Sequence, residues 1–78
     1  MTVKIYSTPS CVYCKMAKEF FKQNNVAYEE YNVAVDMKAR EEMVAKSHQL
    51  GVPVIDVGGE IIVGFEKGTL ARVLKISA

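Results

Sequence analysis

Cys11 and Cys14 are the two cysteines of the chain, set two residues apart in the run Cys11-Val12-Tyr13-Cys14. Thiols at this spacing can form a staple, half of a metal site, or a redox couple. The staple is a weak use. So short a loop gives about 2 kcal/mol of chain-entropy stabilisation, which strain can erase. A reducing compartment would also open an ordinary disulfide. Zinc asks for four ligands, and the chain adds one histidine, His48, far away in sequence. His48 reads as a surface or boundary residue. A zinc or iron–sulfur module in which two chains share these cysteines remains the alternative from a different class.

The redox reading draws on position. Val3-Lys4-Ile5-Tyr6 alternates and is β-branched, which predicts a short strand. Thr8-Pro9-Ser10 predicts a turn, with Ser10 as helix cap. From Val12 to about Asn25 the period is helical: Val12, Met16 and Phe20 recur, with Tyr13, Ala17 and Phe21 beside them. The cysteines therefore open a helix. Its unpaired first-turn N–H groups and its dipole favour a thiolate at Cys11. That thiolate can attack a disulfide sulfur, and Cys14, one turn on, can resolve the mixed disulfide. Val12 and Tyr13 set polarity and access around the two sulfurs. No metal or organic cofactor is required, since the sulfurs carry the electrons.

A second constellation is Gly51-Val52-Pro53. Pro53 opens a strand that should be central, where proline is unwelcome. A cis Val52–Pro53 bond would turn the chain and leave the Val52 backbone free for an extended substrate. A trans proline at a strand start is the ordinary alternative.

The remaining elements must position these groups. Tyr31-Asn32-Val33 predicts a second strand. Asp36 predicts the cap of a second helix, with Ala39, Met43, Val44, Ser47 and Leu50 facing inward and Gly51 ending it. Lys38/Glu42 and Glu42/Lys46 are expected as ion pairs on its outer face. Val52–Val57 and Glu60–Val63 predict a hairpin through Gly58-Gly59. Gly64-Phe65-Glu66 leads to a last helix with Leu70, Val73 and Leu74 inward. The order is β-α-β-α-β-β-α. A right-handed crossover makes the first two strands parallel, and the hairpin is antiparallel. Helices should cover both faces of a four-stranded mixed sheet.

Composition excludes several classes. The chain has 78 residues and a formal charge of +1, so one domain spanning 1–78 is expected, with no basic excess for nucleic acid. Half the residues are hydrophobic, which excludes a disordered chain. No apolar run has the length of a membrane helix, and Asp56 and Glu60 interrupt the longest candidate. The opening residues read directly as a strand, not as a signal peptide. A cytoplasmic monomer without membrane or nucleic-acid partners is expected.

Taken together, Thr8-Pro9-Ser10-Cys11-Val12-Tyr13-Cys14, the Val52-Pro53 corner, Gly58-Gly59 and Gly64-Phe65 resemble the glutaredoxin family of the thioredoxin fold. The resemblance covers nearly the whole chain. It implies Cys11 as nucleophile, Cys14 as resolving thiol, a cis Pro53, and Val52 as a backbone clamp. It also implies a disulfide-bearing protein as substrate, with Tyr13, Val52, Pro53, Gly64 and Phe65 around it. Glutathione-using members usually carry a cation three residues before the nucleophile, where this chain has Thr8. They often have Thr where this chain has Gly51, and acidic or similar residues where it has Phe65-Glu66-Lys67. Gly64-Phe65 and Val12 resemble the redoxins that donate electrons to ribonucleotide reductase, which usually have Gln where this chain has Tyr13. Two electron donors therefore stay open: a thioredoxin-reductase-type flavoprotein, and glutathione. Phe65 itself is expected either as a core plug or as part of an apolar docking rim with Val12 and Tyr13.

Overall fold

The computed structural model describes residues 2–76. The elements are β1 (Val3–Ser7), α1 (Val12–Gln23), β2 (Glu29–Asn32), α2 (Met37–Ser47), β3 (Val54–Val57), β4 (Glu60–Val63) and α3 (Lys67–Leu74). They form the thioredoxin-like β-α-β-α-β-β-α fold, with a sheet of order β2-β1-β3-β4. β1 pairs parallel with β2 and antiparallel with β3, and β3 pairs antiparallel with β4.

Alternation along β1 sends side chains to two cores. Val3 and Ile5 pack with Ala17, Phe20 and Phe21 of α1, Ile55 and Val57 of β3, and Leu70 and Ala71 of α3. Tyr6 faces the opposite side, with Val33, Val54 and Ala39 and Met43 of α2. Helices thus cover both faces. Each large buried side chain contributes about 1.5–3 kcal/mol relative to exposure. Gly58 and Gly59 turn the β3–β4 hairpin with φ of 58° and 101°, conformations that glycine adopts without a Cβ penalty.

Several local expectations are corrected. α1 stops at Gln23, and Asn25 has a left-handed φ of 55°. Its cap is Cys11, not Ser10: the Cys11 side chain accepts from the Cys14 N–H. Met16, expected in the apolar stripe, is exposed, as are Val12 and Tyr13. α2 ends at Ser47, with His48 as a left-handed cap, so Gly51 lies beyond the helix and Leu50 is exposed. β3 begins at Val54 rather than at Val52.

The expected outward ion-pair ladder of α2 is also wrong. Glu42 Oε1 accepts from the Tyr6 hydroxyl at 3.1 Å, and Lys46 Nζ donates to Tyr6 Oη at 2.9 Å and to Asp56 Oδ2 at 2.7 Å. A phenol and a carboxylate buried on this face of the sheet needed partners. Helical spacing from Met43 lets Glu42 and Lys46 supply them.

Candidate active site

The register explains why distant segments meet. Tyr6 of β1 lies opposite Val54 of β3, which lies opposite Val63 of β4. The chain leaving β1 toward Cys11, the chain entering β3 through Val52-Pro53, and the chain leaving β4 into Gly64-Phe65 therefore share one end of the sheet.

Cys11 and Cys14 form a disulfide, with their Cα atoms 5.2 Å apart. Cys14 is fully buried and Cys11 is partly exposed. The Cys14 N–H donates to Cys11 Sγ at 3.1 Å, so one orphan donor of the first helical turn is spent on this sulfur. The Cys11 N–H in turn donates to the Thr8 carbonyl at 3.3 Å, closing the loop ahead of the helix. Lys15 is exposed.

Tyr13, between the two cysteines in the chain, lines a groove of about 300 Å³ with Val52, Pro53, Val63, Gly64, Phe65 and Glu66. All five residues expected around a substrate thus share one wall. Val63 and Glu66 complete it. Alternation in β4 was the signal for Val63: Ile62 packs on the α1 and α3 side of the sheet, which leaves Val63 on the side where Val52 packs. The Val52–Pro53 bond is cis. Pro53 is buried, and its carbonyl accepts from the Gly64 N–H at 2.8 Å, tying two parts of the wall together. The Val52 side chain packs into the α2-side core. Among the described residues, the Val52 N–H and C=O have no hydrogen-bond partner.

Phe65 is neither a fully buried plug nor fully exposed, and Val12 does not join it at the groove. It is half-buried against the core, edge-on to Phe20 with centroids 6.0 Å apart, and it still lines the groove. Glu66 is the one acidic side chain in the groove wall, which holds no Lys, Arg or His. Lys67 lies elsewhere: its Nζ sits 6.0 Å from the Phe20 ring centroid, over α1. Among the described residues, no group of three or more His, Cys, Asp or Glu side chains could hold a metal ion. No described helix is long and apolar enough to cross a membrane.

Comparison with known proteins agrees with this arrangement. Residues 3–62 match the family model described as glutaredoxin. A glutaredoxin-like 8.6 kDa protein of the rubredoxin operon in Clostridium pasteurianum is 51% identical over 73 residues, covering 94% of this chain and 97% of that one. A point mutant of the thioredoxin-like protein BC3987 superposes with a TM-score of 0.93 at 36% identity, covering 97% of each chain. The glutaredoxin-like NrdH-redoxin of Escherichia coli, whose structure is described as the basis of a thioredoxin-like activity profile, superposes with a TM-score of 0.83 at 26% identity, over 92% of this chain and 93% of that one. With its Cys-x-x-Cys disulfide at the head of α1 and its fold, this chain belongs to the glutaredoxin family.

Proposed function

We propose that this protein is a dithiol electron carrier that reduces protein disulfides and is itself recharged by a thioredoxin-reductase-type flavoprotein rather than by glutathione. The Cys11 thiolate attacks one sulfur of the substrate disulfide, and the first substrate thiolate leaves. The Cys14 thiolate then attacks Cys11 Sγ, and the second substrate thiolate leaves. The substrate gains two electrons, and the Cys11–Cys14 disulfide records their loss. A dithiol of the reductase reverses the exchange. Val52 offers its free N–H and C=O to an extended substrate segment, while Tyr13, Pro53, Gly64 and Phe65 form the apolar wall. In this reading the chain works as a single domain and a monomer in the reducing cytoplasm.

The charge of the groove is the observation that carries the choice of donor. Glutathione brings two carboxylates, and each needs a charge-assisted donor. The groove wall holds the acidic side chain of Glu66 and no Lys, Arg or His, and Thr8 replaces the usual cation. Loss of one such hydrogen bond weakens binding roughly tenfold or more. The thioredoxin-like profile described for the NrdH-redoxin relative supports the same choice.

Two steady-state assays test the proposal: glutathione with glutathione reductase, and thioredoxin reductase with NADPH. The flavoprotein is expected to sustain the faster turnover. Fast turnover with glutathione and none with the flavoprotein would overturn the choice of donor. Metal in freshly purified protein that lacks free thiols would favour the shared-cysteine module instead.

A further inference from the structure

One side chain holds the segment that enters the Val52–Pro53 corner. Gln49 Oε1 accepts from the Gly51 N–H at 2.7 Å, and Gln49 Nε2 donates to the Gly51 carbonyl at 3.0 Å. A single carboxamide thus uses both backbone polar groups of Gly51. The same Nε2 lies 3.3 Å from Ser47 Oγ, and Ser47 Oγ donates to the Met43 carbonyl at 2.7 Å. Met43 is buried in the α2-side core. The clasp is therefore referenced to the last turn of α2 rather than to solvent.

We infer that Gln49 is a positioning residue for substrate recognition: its clasp on Gly51 holds the free Val52 N–H and C=O at the groove. The inference rests on the proposed role of Val52 as the clamp. Its physical basis is backbone entropy. Gly51 has more conformational freedom than any other residue type, and it directly precedes the residue whose direction matters. With both Gly51 polar groups occupied, the next unpaired backbone pair along the chain belongs to Val52. Without the clasp, the Gly51–Val52 peptide swings while the Val52 side chain stays packed, and binding must then fix that peptide. Fixing one backbone costs roughly five- to thirtyfold in affinity.

The clasp also bears on what a side chain at position 51 would meet. A Cβ at position 51 would stand 2.8 Å from Gln49 Oε1, and its next neighbour is Gln49 Cδ at 3.8 Å. An alanine there displaces the carboxamide while meeting nothing else.

The test uses the pre-reduced protein with insulin as disulfide substrate, read by stopped flow to separate apparent KM from limiting rate. Iodoacetamide alkylation of Cys11 is measured in parallel, because that small reagent needs no clamp. Gln49→Ala and Gly51→Ala should each raise KM roughly five- to thirtyfold, with limiting rate and alkylation essentially unchanged. The double variant should be no worse than either single variant, because both remove the same clasp. Additive losses, or a fall in alkylation and limiting rate alongside KM, would overturn the inference. Amide exchange at Val52, measured in a Cys14→Ser protein trapped as a peptide mixed disulfide, separates the two levels. Protection at Val52 with KM unchanged in Gln49→Ala removes Gln49 and leaves the clamp. No protection at Val52 removes the clamp itself.

Discussion

The backbone N–H of Cys14 donates to Cys11 Sγ at 3.1 Å, so the sulfur at the head of α1 is also the cap of that helix. Cys14 contributes its backbone to this bond while its own side chain is fully buried. The two sulfurs therefore differ in access. In the reduced protein, iodoacetamide is expected to modify Cys11 first. Cys11→Ser should abolish disulfide reduction. Cys14→Ser should accumulate mixed disulfides, visible by mass spectrometry. Faster alkylation at Cys14 than at Cys11 would contradict the assignment.

Charge in and near the groove sets the second prediction. Thr8→Lys supplies the cation that glutathione-using relatives carry, and Glu66→Gln removes the repelling carboxylate. Thr8→Lys should raise glutathione-dependent turnover roughly tenfold, the value of one charge-assisted hydrogen bond, and Glu66→Gln should raise it as well. Turnover with the flavoprotein should change less. A response to Glu66→Gln alone would assign the discrimination to the loop before α3.

Ion pairs on the two faces of the sheet make stability depend on pH. Partial burial alone would raise the Asp56 pKa, but the hydrogen bonds from Lys46 and from the Gly59 N–H hold it below its ordinary value. The Lys18 hydrogen bond, with that of Ser7, likewise lowers Glu30. Folded carboxylates with depressed pKa values stabilise above the ordinary carboxylate range and lose that contribution as pH falls through their folded pKa. Thermal denaturation should therefore show Tm falling below about pH 4. Lys46→Met should cost about 1–3 kcal/mol at neutral pH, because it leaves the buried Asp56 without its charged partner. It should also flatten the acid limb.

Phe65 couples packing to docking. Phe65→Ala removes the edge-on contact with Phe20 and part of the groove wall. A loss of about 1–2 kcal/mol in denaturant unfolding is expected from the half-buried ring. KM for a protein disulfide should rise beyond what that destabilisation explains, and Phe65→Leu should recover the stability better than the KM.

Much of this molecule was legible in its sequence. Alternation in Val3–Tyr6, the Asp36 cap and the Gly58-Gly59 hairpin each announce their elements locally, and their order then determines the crossover. Val52 and Pro53 were legible from a proline at the start of a central strand, whereas Gly64 and Phe65 were expected at the groove only through the resemblance to the glutaredoxin family. The readings that failed are those decided by tertiary partners. Lys46 looks like one half of a surface pair until Tyr6 and Asp56 come down on the same face of the sheet. Met16 and Leu50 fit a helical stripe but lie where no neighbouring element covers them. The Gln49 clasp left no pattern, because a glutamine in a loop gains meaning only from the backbone it meets.

The antiparallel pairing of β1 with β3 carries a consequence for how the two halves of the site arise. Cys11 and Cys14 are brought together by a single helical turn and need only local order. The proposed Val52 clamp joins them only when Tyr6 and Val54, far apart in sequence, come into register. Closing that long segment is among the larger entropic costs in the topology, since closure entropy grows with loop length. On the proposed mechanism, reactivity is thus encoded at short range and selectivity at long range. A chain that has lost its central pairing would keep two neighbouring thiols but no means of choosing what they react with.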